Sequence, residues 1–311
     1  MHDYQLLLER IGFKAAEMRV YAPLKELTWF KVGGNADLLL ISNRRHLLPD
    51  LFRHCYQHSI PLTVLGDGSN VVISDEGIEG IVLHTTKCLA LSTELIPTPN
   101  HQIHVPAGVL MEDLILTLAQ LGLGGLEVLY GLPGTLGGAL FMNAQCYNRC
   151  LADVFVQAEV LMPNGLVQII TKNDGGWGYK RSPFQHTGAL ILSAWLQMQP
   201  DNPLTLQATA YAHKKDRNNK GHFRYPCAGS IFKNDRTIGK PSGQILESCG
   251  LKEFTIGGAQ ISSFHANIII NQGNALASDI FALTCYAQSV VQEQQGHLLE
   301  PEIIFLGRNF S

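Results

Sequence analysis

The chain has 311 residues, 46% of them hydrophobic, and its 23 Lys and Arg against 26 Asp and Glu leave a formal net charge of −3. That length supports a substantial core shared among two or three domains, and the charge balance excludes a general attraction to nucleic acid or anionic lipid. Seven cysteines, odd in number and scattered in spacing, fit free thiols in a reducing compartment. Cys146 and Cys150 have no second close pair and no nearby His, so no metal site is expected. Without a run of membrane length or a basic-then-apolar leader, the expectation is a soluble cytoplasmic protein with no stable membrane insertion.

In chain order, a short helix is expected over 3–13, with Leu6, Leu7, Ile11 and Phe13 on its apolar side. A strand follows over 36–41, then helical spacing at Leu47, Leu48, Leu51, Phe52 and Tyr56, then a strand opening at Pro61. Strands are read at Ile81–Leu83 and at His104–Gly108. Leu110, Leu114, Leu118 and Leu121 recur as one helical face, ended by Gly122 and Gly124. Alternating segments cover 154–162 and 189–198. The polar stretch 201–222 reads in part as a domain junction or mobile loop. Beyond it come a strand at Asn267–Asn271, a helix over 275–291 capped by Asn274, and a last strand at Ile303–Leu306.

Two turns carry the chemistry. Gly131–Ala139 packs four glycines, a proline and a threonine into nine residues, and Gly66-Asp67-Gly68-Ser69-Asn70 follows the apolar run Leu62–Leu65. Glycine lets backbone N–H groups approach a phosphate that a Cβ would hold off. The dinucleotide fingerprint GxGxxG and the Walker A pattern are both missing here, which argues against a doubly wound NAD-type domain. A nucleotide or flavin site and a pair of tight structural turns both remain compatible with these residues.

The chain resembles the UDP-N-acetylenolpyruvoylglucosamine reductase family. The resemblance rests on Thr28–Gly34, Leu65–Asn70, Gly125–Gly138, Ala228–Asn234, Gly257–Gln260, His265–Asn267 and Leu299–Glu302, in family order from about residue 28 to 307. It implies an α+β fold: a two-part FAD-binding domain of the vanillyl-alcohol-oxidase or PCMH type, at 1–74 and 75–198, plus a separate substrate-binding domain at 199–300. A strand near 303–307 would return to the first part. It further implies non-covalent FAD, NADPH as reductant, and reduction of the enolpyruvyl ether of a UDP-sugar to UDP-N-acetylmuramate for peptidoglycan. A related FAD oxidase and a flavin-binding scaffold with impaired catalysis are the alternatives.

Residue by residue, the resemblance makes Ser230 the proton donor and Glu302 the group stabilising the enolate. The family's arginine falls on Lys180 in Tyr179-Lys180-Arg181-Ser182, with Arg181 as rival; lysine keeps the charge and loses the planar fork. Cofactor contacts fall on Gly66, Gly68, Ser69, Asn70, Tyr130, Gly131, Pro133, Gly134, Thr135, Gly137 and Gly138. Substrate contacts fall on Lys233, Asn234 and His265. The short interval from Ser182 to Ser230 resembles the compact subtype that lacks a substrate-covering tyrosine loop, with the polar 213–222 region as candidate cover.

Overall fold

The computed structural model describes residues 4–90 and 94–310. The chain divides into two compact units. The first takes the chain up to Val20, Leu38–Asp67 and Gly80–Lys215; the second takes Tyr21–Asp37, Gly68–Glu79 and the chain from Asp216 onward. One four-stranded sheet orders Met18–Pro23, Asn35–Leu40, Ile78–His84 and Leu62–Leu65, and the division into units cuts its first three strands.

The first unit is built on an antiparallel sheet in the order Val167–Thr171, Phe155–Leu161, Leu190–Gln197, Gln102–Pro106. Helix Met111–Gln120 buries Met111, Leu114, Ile115, Leu118 and Ala119, each large side chain worth about 2 kcal/mol of removed apolar surface. The expected stripe is right at Leu114 and Leu118 but not at its ends. Leu110 is extended, pairs with Thr135 and is partly exposed, because Met111 N–H bonds to Gly134 O before the helix begins. Leu121 faces out, and Gly122, at φ 70°, follows it. Helix Leu48–Gln57 likewise turns Cys55 inward and Tyr56 outward. In the first helix, Tyr4–Ile11, Leu8 is the buried residue and Leu6 is 51% exposed; residue 3 of the expected helix lies outside the described residues.

The stretch read in part as a domain junction or mobile loop does contain the division between the two units, after Lys215, but most of it is helix Pro203–Asn219 rather than loop. Asn202 Oδ1 accepts the Leu204 N–H at 2.9 Å, and Pro203 opens the helix at the position where its missing N–H costs nothing. Leu206 and Ala210, four apart, are both buried. That stripe is too thin to stand out among the Asn, Lys and His around it, while Leu, Gln, Ala and Lys all favour helix. The candidate cover at 213–222 is therefore helical through Asn219.

In the second unit, Thr255–Ile256, Ala259–Ile261 and Ile269–Asn271 form an antiparallel sheet, and Ile304–Leu306 runs parallel to Val71–Ile73. Helix Ala277–Gln295 packs Ile280, Leu283, Ala287 and Val291 into the core. Asn274 does not cap it. Its first N–H groups, on Ala277 and Ser278, go to the two carboxylate oxygens of Asp75, and Asp279 Oδ2 accepts from Leu276. A side chain from a distant segment, together with Asp279, thus meets the helix's first N–H groups in place of Asn274. No described helix is long and apolar enough to cross a membrane.

Candidate functional site

In the first unit, Leu62–Leu65 runs parallel to Ile78–His84 and delivers Gly66 at its end. A Cβ on Gly66 would stand 2.9 Å from Thr135 Oγ1, so the first glycine turn closes on the second one's threonine. Thr135 also caps helix Leu136–Phe141 by accepting the Gly138 N–H at 3.2 Å. The Leu136 and Gly137 amides bond to Val109 O and Ala107 O, so this part of Gly131–Gly138 is pinned to the strand leading into helix Met111–Gln120. His84 hydrogen-bonds the Gly66 main chain, and burial lowers its pKa so that it stays neutral there.

Tyr130, just before Gly131, is buried edge-on against Tyr211, with Lys214 Nζ 5.0 Å above its ring. Burial raises the phenol's pKa. A 2.8 Å ion pair to Glu112 raises that of Lys214 and keeps it cationic. Neither glycine turn carries a Cys or His for covalent attachment. Glycine-rich turns that meet at Gly66 and Thr135, with a buried aromatic adjoining, fit a phosphorylated, ring-bearing cofactor.

Lys180 and Arg181 also belong to the first unit. Gly178 and Arg181 exchange backbone hydrogen bonds of 3.0 and 3.1 Å, leaving Tyr179 and Lys180 as a two-residue turn. Lys180 takes φ 54°, which usually goes to Gly or Asn and costs a lysine about 1 kcal/mol or more. Gln185 Nε2 holds its carbonyl at 3.1 Å, and Ser182 Oγ bonds to Phe141 O at 2.7 Å. Lys180 is half-buried; Arg181 is exposed.

In the second unit, Gly68 takes φ 66°, and a Cβ there would run into the Leu27 carbonyl. Its own carbonyl accepts the Trp29 N–H at 3.1 Å. Asn70, two residues on past Ser69, donates from Nδ2 to Glu302 O at 3.1 Å, while its carbonyl accepts from Ile304 N–H at 3.0 Å.

Ser230 and Glu302 stand on adjoining antiparallel segments. Phe232 pairs with Pro301; Glu302 N–H bonds to Ile231 O at 2.6 Å, and Lys233 N–H to Glu300 O at 2.9 Å. Both side chains are half-buried. Among the described residues, no atom beyond Gly229 and its two chain neighbours lies within 4 Å of where a Gly229 side chain would start, so the chain before Ser230 borders free volume. Lys233 Nζ pairs with Glu300 Oε1 at 2.5 Å. Asn234 is exposed, and its Oδ1 accepts the Ser242 N–H at 2.8 Å.

His265 Nδ1 accepts the Asn267 N–H at 3.2 Å, which puts the ring proton on Nε2; burial lowers its pKa. His222, 6.0 Å from it ring to ring, is pushed down to about 4 by burial and by Arg217. Two neutral imidazoles thus sit in the unit that holds Ser230.

Ser230, Glu302, Lys233, Asn234 and His265 share one unit, while Lys180, Arg181 and Tyr130 lie in the other. Thr135 on Gly66, Asn70 on Glu302 and Asn267 on Phe232 are contacts that sequence reasoning missed. Each joins residues far apart in the chain, and periodicity carries no signal for such pairs.

Comparison with known proteins first gives the class. Residues 45–171 match the FAD binding domain family, spanning both glycine turns. Residues 221–306 match the UDP-N-acetylenolpyruvoylglucosamine reductase C-terminal domain, spanning Ser230, His265 and Glu302. The chain is therefore an FAD-binding domain joined to a separate α+β domain. Over its length it is 37% identical to the UDP-N-acetylenolpyruvoylglucosamine reductase of Trichormus variabilis, covering 94% of this chain and 87% of that one. It is 35% identical to that of Treponema denticola, covering 95% of each. The crystal structure of the Thermus caldophilus reductase superposes with a TM-score of 0.76 at 29% identity, over 93% of this chain and 98% of that one. The chain belongs to the UDP-N-acetylenolpyruvoylglucosamine reductase family.

Proposed function

We propose that this chain reduces UDP-N-acetylglucosamine enolpyruvate to UDP-N-acetylmuramate in the cytoplasm, for peptidoglycan precursor synthesis, with NADPH as reductant. FAD, held without a covalent bond in an architecture of the vanillyl-alcohol-oxidase or PCMH type, supplies the hydride chemistry when bound. Residues 1–74 and 75–198 form its binding domain and 199–300 the substrate domain, in the compact subtype without a tyrosine loop. The 213–222 region remains the candidate cover, offered as a helix end and the turn that follows it.

An enol ether conjugated to a carboxylate accepts hydride at C3 only if the charge growing toward C2 and the carboxylate is met. Ser230 holds the proton for C2 on its hydroxyl, a weak acid that suffices against a strongly basic carbanionic carbon. Glu302, beside the substrate carboxylate, is the partner that stabilises the enolate. Lys180 supplies the cation, since its strained backbone and partial burial mark it apart from exposed Arg181. Lys233, Asn234 and His265 engage the UDP portion, and Gly66, Gly68, Ser69 and Asn70 with Tyr130, Gly131, Pro133, Gly134, Thr135, Gly137 and Gly138 line the cofactor.

The pairing of the Ser230 and Glu302 segments through Phe232 and Pro301 carries this reading. The test is spectroscopic. Purified protein should be yellow, bleach with NADPH, and regain colour on adding UDP-N-acetylglucosamine enolpyruvate. Colour restored by dioxygen but not by the enol ether would make it an oxidase; a bound flavin that neither NADPH nor substrate affects would make it a scaffold.

A further inference from the structure

We propose that Asn267 is a positioning residue that fixes the spacing of Ser230 and Glu302 by standing in for a strand at the free edge of the Ile231–Lys233 segment. The inference rests on the functional reading above. On one edge this segment pairs with Glu300–Glu302. On the other, the Asn267 amide takes both polar groups of Phe232: Oδ1 accepts its N–H at 2.9 Å and Nδ2 donates to its C=O at 2.8 Å. The Asn267 carbonyl also accepts the Ile231 N–H at 2.9 Å. Phe232 is thus flanked by a peptide pairing on one edge and a side-chain amide on the other.

The chemistry requires an amide. Phe232 offers one donor and one acceptor, so its partner must present a carbonyl and an N–H in one plane. Aspartate lacks the donor, and leucine lacks both. Asn267 is only 2% exposed, so a lost bond is not replaced by water, and each unmet group costs about 1–3 kcal/mol. Its own setting is rigid. Ser262 Oγ accepts the Phe264 and His265 N–H groups, His265 Nδ1 accepts the Asn267 N–H, and Ile268 N–H bonds to His265 O. His265 Nδ1 thus helps to hold the Asn267 main chain in place.

The test compares Asn267→Asp and Asn267→Leu with the native holoprotein, following flavin bleaching by NADPH and recolouring by the enol ether separately. Both variants should bleach within about twofold of native. Their limiting rate of recolouring should fall about 10- to 100-fold, with little change in substrate KM, the scale expected when reacting groups shift by a fraction of an ångström to an ångström. In Asn267→Asp the new carboxyl faces a carbonyl oxygen, so burial holds its proton above the ordinary range. Its protonated form restores the missing donor, and its rate relative to native should rise as pH falls. His265, Lys233, Glu300 and Glu302 are the ionisable groups on the segments bonded to it, and the native profile measured in parallel removes their titration.

Native recolouring rates in both variants would overturn the proposal. So would a loss shared equally by both half-reactions, or one confined to KM. If neither variant folds, hydrogen exchange on the native protein decides: the Phe232 amide should exchange near the global unfolding limit, and rapid exchange would overturn the clamp. Adding Asn267→Asp to Ser230→Ala should cost nothing further. Normal turnover by Ser230→Ala alone would instead bring down the functional reading on which the clamp depends.

Discussion

At Gly66 and Gly68 the chain reaches its geometry by leaving side chains out, whereas around Ser230 it does so by putting asparagine amides in. The glycine turns are tied by backbone hydrogen bonds to other segments, with Leu136 and Gly137 bonded to Val109 O and Ala107 O and Trp29 bonded to Gly68 O, and Thr135 closes on Gly66 where a Cβ would intrude. The segment 231–233 pairs with residues about seventy positions downstream and is held on its other edge by one buried side chain, Asn267. Two distant segments that lie side by side, as 231–233 and 300–302 do, need partners from several places in the chain.

Substitution at the turns should expose this difference most sharply. Gly68→Ala combines a left-handed backbone with a methyl group against the Leu27 carbonyl and should cost about 2–4 kcal/mol in thermal unfolding. Gly66→Ala meets a side-chain hydroxyl instead and should cost about 1–2 kcal/mol. Adding Thr135→Ala to it should recover part of that loss, net of the lost helix cap; strict additivity of the two changes would mean that the turns do not touch. At the Tyr179–Lys180 turn the expected effect is on rate. Lys180→Ala should slow recolouring by the enol ether roughly 100-fold, about 2.7 kcal/mol, and Arg181→Ala by less than about threefold. A reversed order would make Arg181 the cation, and two negligible losses would remove this hairpin from the site.

The contrast also explains what could be read from the sequence. Helices such as Leu48–Gln57 and Met111–Gln120 show in the 3.6-residue recurrence of buried residues, and errors there are confined to ends such as Leu110 and Tyr56. The glycine turns stand out by composition alone, whereas Ser230 is singled out only by the resemblance to the family. Helix Pro203–Asn219 was hidden because a thin buried stripe of Leu206 and Ala210 hardly interrupts a polar run. The Asp75 cap on helix Ala277–Gln295 and the Asn267 clamp were hidden for another reason. Asparagine and aspartate read as turn residues until the fold supplies a distant backbone to satisfy.

The most direct measurement is rapid mixing of Ser230→Ala protein, its flavin already reduced, with UDP-N-acetylglucosamine enolpyruvate. With bleaching by NADPH unchanged, recolouring should be slower than native by about 10²- to 10⁴-fold, the usual worth of a positioned general acid. Recolouring at the native rate would show that the proton comes from elsewhere, and the Ser230–Glu302 pairing would lose its catalytic meaning.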